Sequence, residues 1–153
     1  MNNQTHGDSP GHQVASPTPF EQLGGENKLK EIIGTFIDRV FEDRMIGFFF
    51  RHSNRSRIKE MEFQLTAGFL GANIQYQGGP LDQVHAKHPI MGGHFARRQQ
   101  ILKETLEFYR VPETIKEIWL SHTETLRPLI TPEAGSGCDP MAARKRAYGE
   151  PTH

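Results

Sequence analysis

Residues 29–41, which read LKEIIGTFIDRVF, carry the strongest helical pattern of the chain. Their apolar members recur at intervals of three and four positions and are Leu29, Ile32, Ile33, Phe36, Ile37, Val40 and Phe41. This spacing places them on one face of an α-helix, because a helix turns once in about 3.6 residues. Two glycines, Gly24 and Gly25, mark a turn before the helix. The stretch therefore predicts a long helix that buries one wide apolar face.

The rest of the central chain also has helical spacing and almost no strand signal. We predict a helix capped by Ser53 or Asn54, a short helix over 80–88 that begins at Pro80, a helix over 94–109, and a last helix that begins at Pro112 and is closed by Pro128 and Pro132. The run 46–50, IGFFF, is too short for a confident helix and fits either a buried turn or a strand. The predicted class is all-α.

Length and composition indicate one small domain with polar ends. The chain has 153 residues, and all ten Phe lie between Phe20 and Phe108. We predict a disordered extension over 1–18, a folded domain over 19–132 that Pro17 and Pro19 lead into as extended chain, and a flexible tail over 133–153.

Net charge, cysteine content and the length of the apolar runs exclude several classes of protein. Lys and Arg number 18, as do Asp and Glu, so the basic excess of nucleic-acid-binding proteins is missing. The single cysteine, Cys138, excludes an internal disulfide and a cysteine-based metal centre. No apolar run approaches the roughly 20 residues that cross a bilayer, and no N-terminal leader is recognisable. We expect a soluble, cytoplasmic protein that binds neither nucleic acid nor membrane.

His85 is the most informative histidine of the sequence. It lies one helical turn after Leu81 and next to Val84, so it points where apolar side chains point. A neutral imidazole in an apolar pocket can ligate iron held in a planar macrocycle. The alternatives are a core histidine bonded to a backbone carbonyl, or a non-haem metal site formed with His88 and Glu62.

Glu62 breaks the apolar pattern of its helix. It lies four residues after Ile58 and three before Leu65, on the inward face. A buried carboxylate needs a partner, a raised pKa or a functional role. Alternatively the helix is rotated, and Glu62 reaches solvent or an arginine at the boundary of the core. The neighbouring Met61 is either core filler or an axial ligand to haem iron.

The order and spacing of several short motifs resemble the truncated haemoglobins, the two-over-two helical globins. The motifs within residues 20–130 are FEQLGG at 20–25, Phe36 with Arg39-Val40, Phe49-Phe50, Tyr76 followed by Gly78-Gly79-Pro80, Val84-His85, His94-Phe95 and Val111-Pro112-Glu113. The register up to His94-Phe95 resembles group I, while the stretch 85–90, HAKHPI, is also similar to group III. The resemblance implies a two-over-two sandwich of helices that binds haem b.

The resemblance also implies roles for individual residues. His85 matches the proximal haem ligand, and Phe50 matches a phenylalanine that packs on the haem. The residues expected to contact the cofactor are His85, Phe36, Ile37, Phe49, Phe50, Ile58, Met61, Glu62, Leu65, Tyr76, Leu81, Ile90, Phe95, Leu102 and Trp119. Met61 occupies a position that in some relatives supplies a sixth ligand.

The distal pocket departs from the family pattern. Ile37 replaces the usual ligand-binding tyrosine, and Glu62 stands where a glutamine is common. A dioxygen ligand carries partial negative charge and is stabilised by a hydrogen-bond donor, so we do not expect tight oxygen binding. A protonated Glu62 could instead donate a proton to peroxide or nitrite.

These features lead to one principal hypothesis and several alternatives. The principal hypothesis is a haem b globin that reversibly binds O2, NO or CO. The alternatives are a haem enzyme (nitric-oxide dioxygenase, nitrite reductase or peroxidase) with Glu62 as proton relay, a six-coordinate electron-transfer or sensor globin, and a helical interaction module without haem. We expect a monomer or weak dimer, with a reductase as a possible partner.

Overall fold

The fold is built around α2 (Gly25–Glu42), which packs against both α3 (Arg55–Phe69) and α5 (Gly92–Phe108). The computed structural model describes residues 15–86 and 88–131, and within these ranges every regular element is helical. The remaining elements are α1 (Pro19–Leu23), a 3₁₀-helix (Gly47–Phe50), α4 (Leu81–His85), α6 (Glu113–Thr125) and α7 (Arg127–Ile130). Since α2 packs on α3 and α5 packs on α6, the predicted two-over-two sandwich is confirmed.

The apolar face of α2 forms the centre of the core, as its spacing predicts. Leu29, Ile32 and Phe36 have no exposed surface. Leu106 of α5 and Trp119 of α6 are equally enclosed and belong to the same apolar cluster. Each of these large apolar side chains contributes about 1.5–3 kcal/mol when it is removed from water, so this cluster drives the assembly of the helices.

Helix caps fix where α3 and α4 begin. Asn54 caps α3 as predicted, since its side-chain oxygen accepts a hydrogen bond from the backbone N–H of Arg57 at 3.0 Å. Pro80 is the N-cap of α4 rather than its first helical residue, and α4 ends at His85. The prediction of a helix over 80–88 is therefore wrong at its C-terminal end, and a single helical turn carries His85.

Two short helices were not expected from the sequence. Pro19 begins α1 instead of keeping the chain extended, because the first turn of a helix does not use the N–H that proline lacks. Thr18 caps that turn, accepting a hydrogen bond from the N–H of Glu21 at 3.2 Å. After α6 ends at Thr125, the chain makes a further turn as α7, with Pro128 at its second position.

Most of the run 46–50 is the 3₁₀-helix Gly47–Phe50, whereas a buried turn or a strand was expected. It approaches the end of α2 so closely that a Cβ atom on Gly47 would lie 2.5 Å from the carbonyl oxygen of Phe41. Phe48 of this bend is exposed, whereas Phe49 and Phe50 turn toward the interior. Glycine at position 47 is what allows two aromatic rings to be brought under α2.

Part of the predicted organisation falls on residues outside the described ranges. These are residues 1–14 of the predicted extension, Cys138 and the predicted tail over 133–153. The domain limits at 19 and 132 stay a prediction. Among the described helices, none has the length and apolar character needed to cross a membrane.

Candidate functional site

A largely apolar cavity of about 410 Å³ lies between α2, α3, the 3₁₀-helix and the segment that contains α4. Its volume is within the usual range for small-molecule and cofactor sites. The predicted site residues that line it are Ile37, Phe49, Phe50, Ile58, Met61, Glu62, Leu65, Tyr76, Leu81, His85, Ile90, Phe95 and Trp119. Residues from six helical elements and two loops therefore converge on one space.

Phe36 and Leu102 do not line the cavity, although both were predicted to contact the cofactor. Each has no exposed surface and packs within the apolar core. On α2 the side chains that reach the cavity are Ile37, the residue next to Phe36, and Val40, one turn later. Phe36 and Leu102 support the cavity wall from behind.

His85 lines the cavity, and one of its two ring nitrogens is engaged by the backbone. Its Nδ1 lies 2.7 Å from the carbonyl oxygen of Leu81, one turn earlier on α4. A carbonyl only accepts, so Nδ1 carries the proton and Nε2 keeps its lone pair. Burial lowers the pKa of His85, with the Leu81 hydrogen bond opposing that effect, and the net shift favours the neutral ring. This arrangement is that of a ring prepared to ligate a metal through Nε2.

The α2 and α3 side of the cavity is mainly hydrocarbon. Ile37 is 3% exposed, and Ile58 and Leu65 follow it on the adjacent helix as half-buried side chains. Met61 lies between them and also lines the cavity. Such a surface excludes water and favours an apolar, planar occupant.

Glu62 and Arg98 form an ion pair at the cavity wall. The Nη2 of Arg98 lies 2.9 Å from Oε1 of Glu62, and their side chains are only 21% and 17% exposed. The guanidinium also lies 4.9 Å from the ring centroid of Phe36. Among the alternatives predicted for Glu62, the structure has the one in which its carboxylate reaches an arginine at the boundary of the core. The sequence predicted that this pocket is apolar apart from Glu62. That prediction is wrong, because Arg98 also lines it.

Three further histidines line the cavity, but none of them forms a metal-binding group with His85. The ring of His122 stacks on Phe69 with centroids 4.0 Å apart, and burial lowers the pKa of His122. His94 accepts a hydrogen bond at Nδ1 from the N–H of Met91 at 3.0 Å, and His88 is exposed at the rim. Within the described residues, no group of three His, Cys, Asp or Glu side chains could hold a metal ion. The alternative site of His85, His88 and Glu62 is therefore wrong.

Tyr76 closes one side of the cavity from the loop before α4. Its hydroxyl donates to the carbonyl oxygen of Gly79 at 3.0 Å. Burial, followed by the nearby negative charge of Glu62, raises the pKa of Tyr76. Its proton is engaged within its own loop, so the residue shapes the cavity more than it serves a ligand.

Arg98 is the functional residue that sequence reasoning missed. A signal for it existed, because Arg98 lies three residues after Phe95 and four before Leu102, both of which are buried. The same test identified Glu62 on α3. Applied to α5, it identifies a cation on an inward helical face.

Comparisons with known proteins agree with this geometry. A family model of bacterial-like globins matches residues 18–131. A group 1 truncated haemoglobin of Mycolicibacterium paratuberculosis is 31% identical over 117 residues, which make up 76% of this chain and 86% of that protein. The group 1 truncated haemoglobin of Tetrahymena pyriformis is 24% identical over 98 residues, or 64% of this chain and 81% of that protein.

Solved structures of truncated haemoglobins share the fold. The Fe(III) form of the Tetrahymena pyriformis protein has a TM-score of 0.68 at 22% identity, covering 75% of this chain and 98% of that one. A group II truncated haemoglobin from Bacillus anthracis has a TM-score of 0.69 at 19% identity, covering 76% and 92%. The family model and the mycobacterial relative settle the family, and the chain therefore belongs to the bacterial-like globins, among the group 1 truncated haemoglobins.

Proposed function

We propose that this protein binds haem b through His85 and reversibly binds a small diatomic ligand, O2, NO or CO, in the same cavity. The observation that carries the proposal is the 2.7 Å contact between Nδ1 of His85 and the carbonyl oxygen of Leu81. That contact leaves Nε2 as the free nitrogen donor of a half-buried ring that lines an apolar cavity. Haem supplies the iron centre to which a diatomic gas binds reversibly.

The residues present fit such a cofactor by size and by chemistry. The cavity of about 410 Å³ is lined mostly by apolar side chains. Phe49 and Phe50 offer aromatic surface from the bend, and Ile90 and Phe95 offer apolar surface beyond α4. A flat, hydrophobic macrocycle would cover these side chains and keep water from the nitrogen of His85.

Each part of the site has a separate task in this function. The Leu81 carbonyl orients the His85 ring and fixes its tautomer. Ile37 and Ile58 provide a small apolar space for the gas, and the ring of Phe50, which stacks on Phe41 with centroids 5.0 Å apart, is held in place by that contact. Met61 as a sixth ligand stays a prediction.

The haem enzyme with Glu62 as proton relay has less support. Oε1 of Glu62 accepts a hydrogen bond from Arg98 at 2.9 Å, so the carboxylate already has a cationic partner. Ligand binding is the function that needs no proton from this group. We also propose that the protein works in the cytoplasm as a monomer or weak dimer, with a reductase as its protein partner.

A haem titration tests the proposal. The purified chain is mixed with haem, and its absorption is recorded in the ferric, ferrous and ferrous–CO forms. We expect a Soret band that shifts on reduction and again with CO, and we expect His85→Ala to lose it. His52→Ala is the matched control, because His52 is exposed and does not line the cavity. Absence of a Soret band in the wild-type chain, or its full retention in His85→Ala, would contradict the proposal.

A further inference from the structure

Arg98 is a cation on a face of α5 that otherwise points into the core. Phe95 and Leu102, on the same face, are 1% and 0% exposed, and Arg98 lies between them. Removing a guanidinium from water is costly unless its donors and its charge are satisfied. At this position the guanidinium therefore needs hydrogen-bond acceptors for its N–H groups and a partner for its positive charge.

Only part of the guanidinium finds them. Nη2 donates to Oε1 of Glu62 at 2.9 Å, and the flat face lies 4.9 Å from the ring centroid of Phe36. Nη1 is buried and has no hydrogen-bond partner among the described residues. Arg98 lines the cavity, so a small turn of its enclosed guanidinium would bring this nitrogen to an acceptor bound there.

Three other polar side chains at the cavity, those of Tyr76, Arg57 and His122, are less suited to that task. The hydroxyl of Tyr76 already donates to the carbonyl oxygen of Gly79. Arg57 is exposed to solvent at the start of α3, where water weakens its attraction for a ligand. The ring of His122 is engaged in stacking on Phe69, and burial lowers its pKa, which disfavours a charge there. Arg98 is thus the cation best shielded from water at this site.

We propose that Arg98 determines which ligands the cavity prefers, with Nη1 donating a hydrogen bond to a small monoanion, while Glu62 limits how strongly the guanidinium attracts it. The inference rests on the proposed haem site, because the anion is held between that site and Arg98. A neutral ligand such as CO gains little from a charged donor, whereas an anion gains both a hydrogen bond and a favourable charge.

The proposal is tested with azide as the anionic probe and CO as the neutral one. Azide affinity is measured by absorption titration of the haem-loaded ferric protein, and CO affinity with the ferrous protein, at one fixed neutral pH. Removing Arg98 alone would leave the carboxylate of Glu62 without its partner. The informative pair is therefore Glu62→Gln and the double variant Glu62→Gln/Arg98→Met, which differ only at Arg98.

We expect Glu62→Gln to bind azide more tightly than the wild type, since the compensating carboxylate is gone. The double variant should bind azide about tenfold or more weakly than Glu62→Gln, because a hydrogen bond to a charged donor is lost. CO affinity should change less than about twofold across the series. Arg51→Gln, which removes an exposed arginine that does not line the cavity, controls for net charge and should behave as the wild type.

Two results would overturn the inference while leaving the haem site in place. One is equal azide affinity in Glu62→Gln and the double variant, both with a normal Soret band. The other is a parallel loss of azide and CO affinity in the double variant, which indicates general damage to the cavity. A wild-type chain with no Soret band overturns the proposed function and this inference together.

Discussion

Arg97 of α5 forms an ion pair with Asp43, the residue that follows α2. Its Nε and Nη2 both donate hydrogen bonds to Oδ2 of the carboxylate, at 3.0 and 2.8 Å. The other carboxylate oxygen accepts the backbone N–H groups of Met45 and Ile46 at 2.9 and 3.2 Å. Arg97 is the main cause that lowers the pKa of Asp43, burial opposes it, and the backbone N–H groups add to it. One side chain thus ties the bend that follows α2 to α5.

Replacing Asp43 by Asn should destabilise the protein by about 1 kcal/mol at neutral pH, through loss of charge-assisted hydrogen bonds. Because the folded-state pKa of Asp43 lies below its unfolded value of about 3.9, its contribution is complete above that value. It is lost as the pH falls through the folded pKa. Urea unfolding at a series of pH values should show wild type and variant converging in acid. The control is Glu117→Gln, which removes an exposed carboxylate and should change the free energy of unfolding by less than about 0.5 kcal/mol at every pH. If Asp43→Asn were still less stable than the wild type in strong acid, the ionised carboxylate of Asp43 would not be the source of the stabilisation.

Leu102 and Leu65 should respond differently to truncation. Leu102→Ala empties a fully enclosed site in the core, so we expect it to lower the free energy of unfolding by about 2–5 kcal/mol. Leu65→Ala removes a half-buried side chain at the cavity. It should cost clearly less in unfolding and more in haem retention. Urea unfolding and haem transfer to a competing globin measure the two effects, and the opposite ranking would place Leu102 on the cavity wall.

Gly47 should tolerate no side chain. A Cβ atom at this position would lie 2.5 Å from the carbonyl oxygen of Phe41, so Gly47→Ala must move the bend and should cost about 1–3 kcal/mol. Gly93 offers the comparison, since no atom lies within 4 Å of its Cβ direction. Gly93→Ala should be neutral or stabilise α5 by up to about 1 kcal/mol. Thermal unfolding compares the two, and equal midpoints would show that the bend can yield without cost.

The loss of haem binding in a His85→Gly variant should be reversible by a small molecule. The substitution removes the ring but leaves the apolar cavity, so free imidazole can enter and offer the missing nitrogen. We expect imidazole to restore a Soret band to this variant, measured by titration. Pyrrole, a ring of similar size without a basic nitrogen, should not restore it. A band that returns equally with both rings would mean that His85 only fills space.

The long helices could be predicted because each contains, within its own sequence, the apolar spacing or the capping residue that indicates a helix. The interval of three and four in residues 29–41 and the cap at Asn54 are local signals, and both match the structure. The helices α1 and α7 have five and four residues. They contain too few residues to show a period, and their prolines suggested extended chain or a helix end instead of a helical first turn.

The candidate site was predictable as far as single helices could indicate it. His85 and Glu62 both stood out against an apolar face of their own helix. Arg98 lies in the polar run 97–100, RRQQ, and its partner Glu62 is 36 positions earlier, so its role depends on how α3 and α5 meet. Phe36 was predicted to contact the cofactor but does not line the cavity, because the wide apolar face of α2 does not reveal which of its members border a cavity.

The single turn that carries His85 has a kinetic consequence. Its five residues have no side-chain cap, Val84 is 48% exposed, and its main helical neighbour is α7, which has only four residues. A helix of this length has little stability of its own, so it opens locally at a free energy well below that of global unfolding. If His85 holds the proposed haem, we therefore expect the residence time of that group to depend on the opening of this turn. Substitutions that strengthen the packing of α2 on α3 would lengthen the lifetime of the folded chain and leave that residence time almost unchanged.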